Sequence, residues 1–310
     1  MKVVIISNNI CSIPACQYLA GNGMLQMLVA ADDANPYIPQ LEQTAAGFHI
    51  PFKLTSKADL KTDLAATLNE LKPDVVLVFA FRYKIPAELL TIPKFGFFNV
   101  HFSLLPKYRG SFPAFWQLKN GDQNGGISIH RITNQFDAGP LLMQKNIPVG
   151  PVDTHGIYWG RLSLESVAVI AAALEKLASS VDTMLLEQDD SQATAAPSPM
   201  PEDFKINWQT QTAQEIDNLV RACNPDYGGA LTLFRNQIFR IFEVSIAQLN
   251  GDGHAAPGTI VYADANNGVF VACINNQFLR INIIQSNEGF LSGMKLALLG
   301  IQAGEQLQNF

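Results

Sequence analysis

The sequence predicts an α/β fold, a doubly wound and mainly parallel sheet, followed by a C-terminal OB-like β-barrel. Three observations predict it. Apolar runs alternate with stretches of helical period through the first half of the chain. One of those runs, PDVVLVFAF (73–81), is apolar throughout, as a strand covered on both faces must be. Beyond residue 204, short strand-like runs separated by turn residues replace that rhythm.

The elements follow in order. VVIIS (3–7) is the first core strand, and MKVVIISNN turns polar too soon for a signal peptide. Ser12–Ala20 reads as a short helix with Pro14 in its first turn, where no N–H is missed. MLQMLVAA (24–31) is a second strand, Leu41–Ala46 and Leu60–Leu71 are helices, and FGFFNVHF (95–102) is a fourth strand after 73–81. Two more strands, GISIHRI and LLMQKNI, flank TNQFDAGP within 126–147. Asp153 and Thr154 then cap a helix reaching about Leu177. The expected first domain is 1–187. QDDSQATAAPSPMPEDF is polar and rich in proline and small residues, so 188–203 is expected to be a linker, with the barrel domain at 204–310. Within the latter, a helix at Thr212–Ala222 precedes ALTLF, QIFRIFEVSI, GTIVYA, GVFVAC and FLRINII.

The 310 residues suffice for two domains, and 48% hydrophobic with 15% charged residues is an ordinary globular composition. No long uninterrupted apolar run suggests a membrane span, and a cytoplasmic protein is expected. Cys11, Cys16, Cys223 and Cys273 show no Cys-x-x-Cys spacing, which indicates neither a metal site nor a disulfide framework. A net charge of −6 argues against nucleic-acid binding. Residues 82–109 run against that average: Arg82, Lys84, Lys94, Lys107 and Arg109 face only Glu88, a local balance of +4 that suits a small anionic ligand. SNNICSIP follows the first strand in place of G-x-G-x-x-G, so a nicotinamide-dependent enzyme loses its main support.

Asn99 and His101, two residues apart on a strand, point the same way, with Val100 opposite. In a doubly wound sheet, ligands bind at the carboxyl ends of strands, where this pair and the Phe81–Ile85 loop fall. NVHFSLLPKYRG followed by GISIHRITNQFDAGPLLMQ resembles the folate-dependent formyltransferases. The likeness continues in RACNPDYGGALTLF (221–234) and PGTIVYADANNGVFVAC (257–273). It implies a formyltransferase-type Rossmann-like domain and a catalytic trio of Asn99, His101 and Asp137. It also implies that 10-formyltetrahydrofolate lies against Phe81, Arg82, Tyr83, Lys84 and Ile85, against Ser103, Leu104, Leu105 and Pro106, and against the loop Thr133–Asp137. Lys107 and Arg109 are candidates to hold an acceptor phosphate or carboxylate.

These residue types suit the chemistry. A neutral amine attacks the formyl carbon, and the carbonyl oxygen becomes anionic, so donors must be aimed there in advance. The Asn99 amide and a protonated His101 can supply them, and a nearby Asp137 is expected to raise the histidine pKa and to take up the amine's proton. Of the other histidines, His49, His155 and His254 have no partner pattern, and His130 is expected to pack within its strand.

The acceptor is less legible. DDANPYIPQLEQTAAG carries no Lys or Arg between Asp32 and Pro51, where methionyl-tRNA formyltransferases have a basic insertion. Residues 204–310 hold six basic side chains against eight acidic ones, which disfavours tRNA as partner. A small amine such as an amino-sugar nucleotide is therefore expected, although Ser111 stands where sugar-nucleotide enzymes tend to have an arginine. The alternatives are a methionyl-tRNA formyltransferase and a hydrolase that deformylates 10-formyltetrahydrofolate with water.

Overall fold

The computed structural model describes residues 1–179, 184–249 and 255–310; His254 lies outside them. The chain forms two compact units, one comprising Met1–Pro113, Asn124–Pro148 and Trp159–Pro197, the other Ala114–Gln123, Val149–Tyr158 and Ser198–Phe310. Residues 188–197 of the stretch expected to be a linker thus group with the first unit.

The first unit is built on strands β1 (Val3–Ser7), β2 (Leu25–Ala31), β3 (Phe52–Thr55), β4 (Val75–Phe79), β5 (Phe97–His101), β6 (Asn124–Arg131) and β7 (Leu141–Pro148). Their order in the sheet is β3-β2-β1-β4-β5-β6-β7. The first five pair in parallel, and β6 and β7 add antiparallel. This is the expected doubly wound, mainly parallel sheet, with one strand that sequence patterning did not reveal. β3 is a four-residue edge strand with only Thr55 fully buried, too short and too polar for alternation to register. β4, by contrast, is buried at every position, as its unbroken apolar run requires.

Helices α1 (Ile13–Gly21), α2 (Ile38–Gly47) and α3 (Asp63–Leu71) supply the crossovers, α4 (Pro113–Lys119) precedes β6, and α5 spans His155–Ser179. One core side of the sheet gathers Val4, Ile6, Val29, Val76, Val78 and Phe97 under Leu64 and Leu68 of α3. α5 is long and apolar enough to cross a membrane by length and composition. It nevertheless buries Leu162, Val169, Ile170, Ala173, Leu174 and Leu177, the stripe of a helix covering a protein core.

The second unit carries α6 (Ala213–Cys223), opened by a reciprocal capping box in which Glu215 N–H donates to Thr212 Oγ1 and Glu215 accepts from Thr212 N–H. Strands β8 (Ala230–Phe234), β9 (Gln237–Ala247), β10 (Ile260–Asp264), β11 (Gly268–Ala272) and β12 (Phe278–Ser286) form an antiparallel sheet in the order β10-β11-β12-β9-β8. A sixth strand, β13 (Gly289–Ser292), pairs with β12 and leads into α7 (Gly293–Leu298). The C-terminal tail bridges the two edges: Gln308 pairs with Leu233 of β8, and Gln306 pairs with Thr259 at the foot of β10. The sheet with its tail buries Phe239, Ile241, Ile260, Val269, Ile281 and Leu307, an antiparallel C-terminal domain consistent with the expected OB-like one. All four cysteines are buried and free of disulfides.

Candidate active site

β5 delivers two polar side chains to the end of the parallel part of the sheet. Its register sets Asn99 beside Val78 of β4 and opposite His130 of β6, with His101 opposite Ser128. Phe97, Phe98 and Val100 fill the core around them, so the strand's position is fixed by apolar packing and the polar pair has no freedom to slide.

Asp137 arrives from the loop between β6 and β7, in a left-handed conformation with φ 50°. Non-glycine residues adopt that region at a cost of order 1 kcal/mol or more, so surrounding contacts must hold it. Asn99 Nδ2 donates to Asp137 Oδ1 at 3.2 Å, and the Gly110 N–H donates to Asp137 Oδ2 at 2.9 Å. His101 Nδ1 lies 3.9 Å from Oδ2. The structure therefore brings Asn99, His101 and Asp137 together, with His101 5% exposed and the Asp137 side chain 14% exposed.

His130, buried within its strand as expected, also joins this cluster. Its Nε2 lies 3.3 Å from both Asn99 Nδ2 and Asp137 Oδ1, while Nδ1 donates to the Arg131 carbonyl at 3.1 Å. The signal was present: Ser128 and His130 are polar at alternate positions of an apolar strand, the same pattern that singles out Asn99 and His101. What sequence could not supply was the antiparallel register that sets His130 across from Asn99.

The electrostatics correct one expectation. Burial lowers the His101 pKa; Asp137 and the Tyr108 carbonyl raise it, His130 lowers it further, and the net direction is down. His101 is thus a neutral imidazole at rest rather than a standing imidazolium. Its Nε2–H donates to the Tyr108 carbonyl at 2.8 Å, which leaves Nδ1 with a lone pair facing Asp137. Asp137 resists the opposite pressure. Burial alone would raise its pKa, but the imidazoles of His130 and His101 beside it and the Gly110 N–H hold it far below the usual carboxylate range.

The loops expected to face the donor lie around this cluster. Ser103 and Leu105 are buried. Ser128 Oγ donates to the Ser103 carbonyl at 2.6 Å and accepts from Leu105 N–H and from Gln144 Nε2. Ser103 Oγ donates to the Lys107 carbonyl, and the Leu105–Pro106 peptide is cis. On the other side, Ile85 is buried in the core and Phe81 and Tyr83 meet edge to face. Arg82 pairs with Asp33 at 2.6 Å, and Lys84 Nζ sits 5.6 Å from the ring centre of Phe136, which is 73% exposed. The 81–85 loop and the Asp137 loop are thereby joined. Lys107 is exposed, whereas the Arg109 guanidinium turns to Gln188 and Asp190.

The chain as a whole is similar to known proteins. Residues 22–174 match the formyl transferase family, and residues 200–296 match the formyl transferase C-terminal domain. A methionyl-tRNA formyltransferase from Geobacter metallireducens is 36% identical over 242 residues, covering 76% of this chain and 75% of that protein. Another from Thermodesulfovibrio yellowstonii is 29% identical over 307 residues, 96% of each chain. Among solved structures, WlaRD, a sugar 3N-formyltransferase, superposes with a TM-score of 0.66 at 19% identity, over 90% of this chain and 96% of that one, a likeness of fold. With both halves matched and a relative this similar along three quarters of its length, the chain belongs to the formyltransferase family, enzymes that draw their formyl group from 10-formyltetrahydrofolate.

Proposed function

We propose that the chain formylates a primary amine through Asn99, His101 and Asp137. The observation that carries this reading is the convergence of a carboxamide, a neutral imidazole and a carboxylate at one strand end. The neutral amine attacks the formyl carbon, and the carbonyl electrons move onto oxygen. Asn99 Nδ2 donates to that oxyanion; its resting contacts of 3.2 and 3.3 Å are long, so it can trade one for the charged acceptor. His101 Nδ1 takes the proton shed by the amine, and the imidazolium so formed lies beside Asp137. The intermediate then collapses: the bond from carbon to the folate nitrogen breaks, that nitrogen receives the proton from His101, and formamide and tetrahydrofolate leave. Phe81–Ile85 and Ser103–Pro106 are the proposed walls of the donor site.

For the acceptor, the names of the curated relatives support the amino group of methionyl-tRNA, and this reverses the order expected from sequence. A small amine such as an amino-sugar nucleotide is the second reading. It is favoured by the absence of Lys and Arg between Asp32 and Pro51 and by the acidic balance of residues 204–310, since phosphate binding draws on clustered cations. A cytoplasmic location suits either reading. The test offers the purified protein 10-formyltetrahydrofolate with charged initiator tRNA, with dTDP-linked amino sugars, and with neither. Formylmethionyl-tRNA is the expected product. A formylated sugar with unmodified tRNA would establish the second reading, and formate released without any acceptor would mark a hydrolase.

A further inference from the structure

Residues 186–196 run along the two loops that frame the Asp137 carboxylate. Leu186 and Leu141 exchange backbone hydrogen bonds, Arg109 N–H donates to the Thr194 carbonyl at 2.8 Å, and Ala196 N–H donates to the Arg109 carbonyl at 2.7 Å. Half-buried Gln188 lies near the start of this strap. Its Nε2 donates to the carbonyls of Asp137 at 2.9 Å and Gly139 at 2.7 Å. Its Oε1 accepts from Arg109 Nε at 3.2 Å and Nη2 at 2.8 Å. A carboxamide has two donor hydrogens and two acceptor lone pairs, and here all are engaged.

Both grips bear on the same carboxylate. The first fixes the backbone at Asp137 and just beyond it, where Asp137 stands in the left-handed region at φ 50°. The second fixes Arg109, whose neighbours on each side serve the site: Gly110 N–H donates to Asp137 Oδ2, and the Tyr108 carbonyl accepts from His101 Nε2. We propose that Gln188 is a positioning residue for formyl transfer, coupling the 133–139 and 106–112 loops so that Asp137 faces the imidazole of His101. Glutamate at this place would lack the donors for the two carbonyls, asparagine would be one methylene short, and methionine would keep the length while losing every polar contact.

The inference rests on the catalytic reading of Asn99, His101 and Asp137, and a titration separates the two. The full-length chain is labelled with ¹⁵N-histidine, His101 is assigned by comparison with His101→Asn, and its protonation midpoint is followed by NMR in wild type, Asp137→Asn, Gln188→Ala and Gln188→Met. Loss of the facing carboxylate removes what opposes burial, so Asp137→Asn lowers the midpoint. Gln188→Met is expected to lower it by at least half as much, and serves alone where the alanine variant fails to fold. A Gln188→Met protein that melts earlier but titrates like wild type would overturn the proposal and leave the trio standing. A midpoint unmoved by Asp137→Asn would overturn both.

Discussion

Asp137→Asn keeps the shape of the side chain and removes its charge. Asp137 Oδ2 lies 3.9 Å from His101 Nδ1. At an effective dielectric of about 20, opposite unit charges at that separation attract by about 4 kcal/mol. The resting enzyme forfeits little of this, because its imidazole is neutral. The loss falls on the state in which His101 holds the amine's proton, and so on the barrier. A penalty of about 4 kcal/mol corresponds to about a thousandfold in rate. Single-turnover rapid quench, with the donor bound and the productive acceptor in excess, isolates this step, and calorimetry reports donor affinity separately. We expect the rate constant to fall by about that factor while the donor binds as before. A rate within tenfold of wild type at unchanged donor affinity would refute the assignment of Asp137 as the counter-charge to His101.

Two further expectations concern stability. Burial holds the His101 pKa below its ordinary value of 6.5, so on acidification the unfolded chain takes up this proton first; the contribution is complete above about pH 6.5 and drains away below it. The melting temperature of wild type should fall more steeply between pH 7 and 5 than that of His101→Asn, and parallel curves would contradict the burial argument. Gly110 has φ 127°, and a Cβ there would sit 2.5 Å from the Ala196 carbonyl oxygen. Gly110→Ala should cost more than about 1 kcal/mol in urea unfolding, and an unchanged midpoint would show that the strap yields freely.

How far the sequence revealed this site depended on the range of the contacts. Asn99 and His101 were visible because strand alternation is local: two polar residues at i and i+2 within Phe97–His101 must share a face. β4 was visible because an unbroken apolar run has few other uses. The neighbours of His130 were less legible, since its partnership with Asn99 depends on antiparallel register. The protonation state of His101 also escaped the sequence, because Asp137 pulls it one way and burial the other, and only the folded structure shows burial to be larger. The same holds for 188–197, whose composition of small and polar residues reads as a linker. Its hydrogen bonds to distant loops are mostly to backbone groups, which no local pattern records.

The site is anchored in two unlike ways. Asn99, His101 and His130 stand on hydrogen-bonded strands that can part only when the whole sheet does. Asp137 depends on a loop and a handful of single contacts. Under gentle warming, then, the anion should depart while the imidazole it faces stays put, giving a protein that still looks native and no longer turns over; amide exchange at residues 133–139 outpacing that of β5 would register the parting.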